Sequence, residues 1–142
     1  MEHTLLIRLE KLFELTTDLA ISLDESQYKA HMPNLPSNSI GEQLCCIVGA
    51  RESYLAQLHI GGTFTYTCSV VDPYNKFKIM KALYDSTVKI LSYRKKDALE
   101  KREIDILLAI LEHEAQHHGQ LIRYVYGNKW SFPNTWHTHY TV

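Results

Sequence analysis

His113 and His117 stand four residues apart in the segment Leu111-Glu112-His113-Glu114-Ala115-Gln116-His117-His118-Gly119-Gln120. On a helix, that interval stacks two imidazoles on one face, at the separation a single divalent ion needs. The same letters spell His-Glu-x-x-His, in which Glu114 would be the general base of a zinc hydrolase. Such an enzyme needs a third protein ligand, commonly a downstream Glu or His, and no acidic residue follows Glu114. The longer form of the motif is absent too, with Gln120 in place of its glycine and Arg123 in place of its last histidine. The competing reading makes His113 and His117 core histidines that hydrogen-bond to neighbouring helices. His118 points toward a different column and reads as packing, or as support for the ligands.

A two-histidine site needs a third ligand from a neighbouring helix. Cys46 lies off the main apolar stripe of its segment, on a flank with Gln43, Ala50, Ser53 and Gln57. Small and polar residues there leave room for a cavity, and Cys45 points about 100° away. Against this stands the usual fate of a free cysteine, which is to serve as a small buried hydrophobe. Cys68 falls in a loop with no neighbouring positive charge to activate it.

Four segments have the periodicity to position these residues. The first runs from about His3 to Lys29 with Leu5, Leu9, Leu12, Leu19 and Leu23 on one stripe, and Pro33 and Pro36 end it. The second opens at the capping box Ser39-Ile40-Gly41-Glu42, carries Ile40, Leu44, Ile47, Tyr54 and Leu58, and stops at Gly61-Gly62. A long crossover loop follows. The third helix is expected to open at Asp72-Pro73, with Phe77, Met80, Tyr84, Val88 and Leu91 as its stripe. The fourth runs from Asp97 to about Tyr126, before Gly127-Asn128. Its polar arc holds Lys101, Asp105, Glu112, Gln116 and Arg123. One apolar column holds Ile104, Leu108, Leu111, Ala115 and Ile122; the other continues Ile106 and Ile110 through His113, His117 and Tyr124. The stretch from Trp130 to Val142 has no period and reads as an irregular tail. The expectation is therefore an all-α, four-helix bundle forming a single domain over residues 1–142.

Composition fits that picture. The 142 residues are 45% apolar and 22% charged, with a net charge of −1 that gives no electrostatic reason to expect nucleic acid. No apolar run approaches the ~20 residues that cross a bilayer. Glu2 and Glu10 among the first leucines speak against a signal peptide. Three cysteines without regular spacing point to a reducing, cytoplasmic setting.

Three stretches, taken in order, resemble the DinB/YfiT-like superfamily: Ser39-Ile40-Gly41-Glu42-Gln43-Leu44-Cys45-Cys46-Ile47, His113-x-x-x-His117-His118-Gly119-Gln120-Leu121, and Phe132-Pro133-x-x-Trp136. The first and third helices match only as amphipathic helices. The resemblance implies a four-helix bundle, often a homodimer, with a three-histidine site for zinc, nickel or a similar ion. Two of those histidines fall on His113 and His117, and the third falls on Cys46, a departure that leaves either a Cys-His-His site or a decayed one. Relatives of this kind include thiol-dependent S-transferases and isomerases that use a low-molecular-weight thiol. In such an enzyme the ion binds the cofactor thiol and lowers its pKa, and Glu114 or His118 orients a ligand or moves a proton. The alternatives are a non-catalytic dimeric bundle with a structural or vestigial site, and the zinc hydrolase with Glu114 as base.

Overall fold

Leu5, Leu9, Leu12 and Leu19 of the first stripe are all buried along α1 (Glu2–Ser22) of a computed structural model, which describes residues 2–93 and 98–142. The helix does not continue to Lys29 as its periodicity suggests. Asp24 accepts from the Gln27 amide at 2.9 Å while Gln27 Oε1 accepts from the Asp24 amide at 2.8 Å. That capping box starts a separate turn, α2 (Glu25–Tyr28). An aspartate competes with the helix for backbone amides, and at Leu23-Asp24 the competition ends α1.

The expected box at Ser39 and Glu42 opens α3 (Ile40–Ile60), and Gly61, at φ +80°, closes it. Residues 61–75 then run back along the same helix. Thr67 N–H donates to Ser53 Oγ at 2.8 Å, and the Cys68 thiol donates to the Cys45 carbonyl at 3.5 Å. At the far end the chain passes so close to Gly41 that a Cβ there would lie 2.0 Å from the Pro73 carbonyl oxygen. This return brings α4 (Lys76–Leu91) alongside α3 in a parallel sense.

Two expectations for α4 are corrected. Its cap is Asn75, which accepts from Lys78 N–H at 3.0 Å, because Asp72-Pro73 is spent in a turn that ends on Asp72 O. Its inward face is Ile79, Ala82, Leu83, Ser86 and Ile90, whereas Phe77, Tyr84 and Val88 are exposed. Both faces are apolar enough to be buried. The choice falls on the one with small and hydroxylated side chains, because a buried arginine of α3 has to fit against it.

The start expected for the last long helix, Asp97, lies outside the described residues. From Glu100, whose amide donates to Glu103 Oε2 at 2.8 Å, α5 (Lys101–Gly127) runs antiparallel to α3. Arg102 reaches the Gln57 carbonyl at one end and the Tyr124 hydroxyl donates to the Asn38 carbonyl at the other. The tail is not irregular. It forms a short helix, α6 (Asn134–Tyr140), because Trp136 is fully buried and its indole N–H donates to the Leu15 carbonyl at 2.7 Å.

Among the described residues there are six helices and no strand, and the architecture is an all-α bundle. Helix α1 packs on α4 and α5, and α3 packs on the same two. Lys76 Nζ donates to the carbonyls of Ile21 and Leu23, which sets the start of α4 beside the end of α1. Helices α1 and α5 thus point one way and α3 and α4 the other. No helix among the described residues is long and apolar enough to cross a membrane.

Candidate metal centre

Antiparallel packing of α3 on α5 puts Cys46 opposite His113 and Gln43 opposite His117. The Cys46 sulfur lies 3.9 Å from His113 Nε2. Among the described residues, Cys46, His113 and His117 form a three-donor group whose ligand atoms all lie within 4.8 Å of one another, so it can hold a metal ion. Tetrahedral zinc with bonds of ~2.0–2.1 Å to nitrogen and ~2.3 Å to sulfur needs donors roughly 3.3–3.6 Å apart, a modest closure from these positions. The inward column of α5 is as its periodicity suggests, with Ile106, Ile110, His117 and Tyr124 buried and His113 half-buried.

The donors are also in the right chemical form. Gln43, itself buried, accepts the His117 Nδ1 proton through Oε1 at 2.6 Å. That bond fixes the tautomer and leaves Nε2 with a free lone pair for an ion. Burial pushes the His117 imidazole down to about 4, helped by His113 beside it, and burial lowers His113 as well. Both rings are neutral at pH 7. Burial and the neighbouring Cys68 raise the Cys46 thiol, so binding an ion there displaces a proton. Gln43→Ala is expected to weaken zinc binding about 10–100-fold while leaving all three ligands in place, as loss of an outer-shell partner does. Competition with a zinc-sensitive dye measures it, and an unchanged affinity would mean that Gln43 does not orient His117.

Glu114 and His118, the two candidate catalytic groups, sit deeper. Their relative exposures are 1% and 0%, and every hydrogen-bonding atom of each has a partner. Arg51 Nε donates to Glu114 Oε2 at 3.0 Å, and Arg51 Nη2 and the Thr16 hydroxyl both donate to Glu114 Oε1. Since a carboxylate only accepts, Thr16 spends its proton on Glu114, and its oxygen accepts from His118 Nε2–H at 2.7 Å. His118 Nδ1 then accepts from the Tyr140 hydroxyl at 2.6 Å. This assigns His118 one neutral tautomer, in keeping with a pKa that burial pushes down to about 4 against the pull of Glu114.

Arg51 is the residue that the sequence reading missed. It is 1% exposed, with its guanidinium carbon 3.9 Å from the centre of the Phe13 ring. Its remaining amine donates to the Leu83 carbonyl at 3.3 Å and to Thr87 Oγ1 at 3.1 Å, with Ser86 Oγ at 3.5 Å. One ion pair therefore ties α3 and α5 to α1 and α4, and through His118 and Tyr140 to α6. A signal was present. Arg51 lies four residues from both Ile47 and Leu55, in the middle of an inward column, and Glu114 holds the matching place four residues after Ile110. Burial would raise the Glu114 carboxyl, but the Arg51 charge and hydrogen bonds, His118 and Thr16 outweigh it and hold it below the ordinary 4.5.

These shifts set the acid limb of stability. His117 and His118 have folded-state values below their unfolded 6.5, so the unfolded chain binds more protons between pH 6.5 and about 4. Their contribution is complete above 6.5 and falls as pH drops through that window. Glu114, also depressed, adds a loss that begins below 4.5. Urea midpoints of the metal-free protein are expected to fall steadily from pH 7 to 4, and a flat profile would contradict the burial of these imidazoles.

No protein-family model, curated protein or solved structure matches this chain.

Proposed function

We propose that this chain is a DinB/YfiT-like four-helix-bundle protein in which Cys46, His113 and His117 hold a divalent ion, zinc before nickel because one ligand is a thiolate. The observation that carries the reading is the convergence of these three donors with Gln43 aligning one of them. Three protein ligands leave a fourth position for a small molecule, as in catalytic rather than structural zinc sites. The reaction class is thiol-dependent S-transfer or isomerisation on a small-molecule substrate. When bound, the ion supplies Lewis acidity that keeps a low-molecular-weight thiol as its thiolate. The protein's own part is to present His113 and Cys46, both half-buried, at a place that solvent reaches, and to keep His117 in one tautomer.

The hydrolase alternative is less well supported, because Glu114 is committed to Arg51 and Thr16 rather than free to take a proton from water. A reducing, cytoplasmic setting is part of the proposal, supported by three free thiols. So is a homodimer, supported by the exposed Phe77, Tyr84 and Val88 on α4.

Elemental analysis of tag-free protein purified without chelators, beside the Cys46→Ala variant, tests the metal. Zinc near one per chain, lost in the variant, is the expected result. A wild-type protein that takes up neither zinc nor nickel would overturn the proposal and leave a non-catalytic bundle with a vestigial site.

A further inference from the structure

Gln43 has two polar ends, and the donor cluster uses only one. Its Oε1 holds the His117 Nδ1 proton, while its Nε2 has no hydrogen-bond partner among the described residues. The side chain is 8% exposed, and among the described residues no sealed side-chain nitrogen or oxygen lacks a partner. The amine is therefore the part of Gln43 that reaches open space. That space is a pocket of about 330 Å³ between the start of α3 and the last turns of α5. The rest of its polar lining can donate as well. Gln120 and Arg123 enter from α5, beyond His117, and Asn38 enters from the segment just before the Ser39 cap. None of these three side chains has a hydrogen bond or ion pair among the described residues. Ser37 Oγ accepts from the Met32 amide at 2.8 Å, which leaves its own proton to give. The Tyr124 hydroxyl, on the same wall, donates to the Asn38 carbonyl and holds that segment in place. No acidic side chain lines the pocket.

We propose that this pocket binds the carboxylate of a small organic acid, with Arg123 supplying the charge and the Gln43 amine the buried hydrogen bond. A carboxylate only accepts, through two oxygens, and a ring of donors with one cation and no anion is its complement. The amine has given up most of its water already, so an ionised acceptor gains more there than at an exposed amide. Met32 adds an apolar wall, and the volume lies at the low end of the roughly 300–1,000 Å³ of ligand pockets, so the body of the acid is short. A phosphate is the poorer match, because its second charge finds no second cation here. The same amide carries the effect to the donor cluster. An anion on Nε2 keeps Gln43 from turning over, and so keeps Oε1 on His117. Binding itself rests on Gln43 and Arg123 and needs no ion at Cys46, His113 and His117.

The test is to titrate propionate, propionamide and inorganic phosphate at constant ionic strength into the isotope-labelled chain, as purified and after chelator treatment, and to follow the side-chain amide signals of Gln43 and Gln120 by NMR. Propionate is expected to shift both signals saturably in both preparations, with a Kd of about 1 mM, which is what so small a ligand can reach. Propionamide, of the same shape without the charge, should not saturate, and phosphate should bind more weakly than propionate. Arg123→Gln alters an exposed side chain outside both core clusters, so the fold should hold while propionate binding weakens roughly tenfold or more. Four results would each overturn the proposal: no saturable shift of Gln43, an equal response to propionamide, phosphate binding tighter than propionate, or an unchanged affinity in Arg123→Gln.

Discussion

Glu114→Ala is expected to destabilise the bundle by about 3–5 kcal/mol, since it strands a guanidinium in the core. For a chain of this size that is a drop in melting temperature of roughly 10 °C or more. The reasoning turns on what remains. Arg51 keeps its contacts to Leu83, Ser86 and Thr87, but these are neutral acceptors, and the charge stays 1% exposed over the Phe13 ring. Removing both charges is a different matter. Arg51→Met with Glu114→Leu deletes the desolvation cost with the attraction, so it should recover most of the loss. A double-mutant cycle by urea denaturation measures the coupling directly. A Glu114→Ala protein within about 0.5 kcal/mol of wild type would mean that the pair does not hold the helices.

The second large effect belongs to His113. Its ring is half-buried and makes no bond to the Arg51 network, so His113→Ala should leave the fold close to intact. Metal affinity should fall by more than the roughly 10–100-fold that an outer-shell change produces, because one of three donors is gone. Zinc titration against a competing chelator, run beside the melting curve, separates the two effects. Zinc retained at wild-type affinity would remove His113 from the ligand set.

The inward column of α5 was legible from the sequence because a helix repeats every 3.6 residues and Lys101, Asp105, Glu112, Gln116 and Arg123 share the arc that faces away from it. The capping box at Ser39 was legible because it depends on residues three apart. What could not be read was everything that two faces contested. On α4 the larger side chains of Phe77, Tyr84 and Val88 make the better stripe on paper, yet the inward face is decided by Arg51, 32 positions from Leu83 in the chain. The tail hid its helix for a similar reason. Trp136 has a place only because Leu15, 121 residues earlier, offers it a carbonyl. At the candidate site, the spacing of His113 and His117 pointed to a metal, and Cys46 stood on the flank that the structure turns toward them. Gln43 stood on that flank too, but its bond to His117 spans 74 residues, and no local pattern encodes it.

The parallel course of α3 and α4 bears on how an ion would meet this chain. Cys46 and His113 are 67 positions apart, and the intervening chain holds the whole return loop and α4. Nothing short in sequence brings the two donors together, so closing that loop waits on the long-range docking of α5 against α3. An ion held by these donors would therefore meet a bundle already assembled rather than nucleate it. Its stabilisation should appear almost wholly as slower unfolding, with the refolding rate the same in zinc as in chelator.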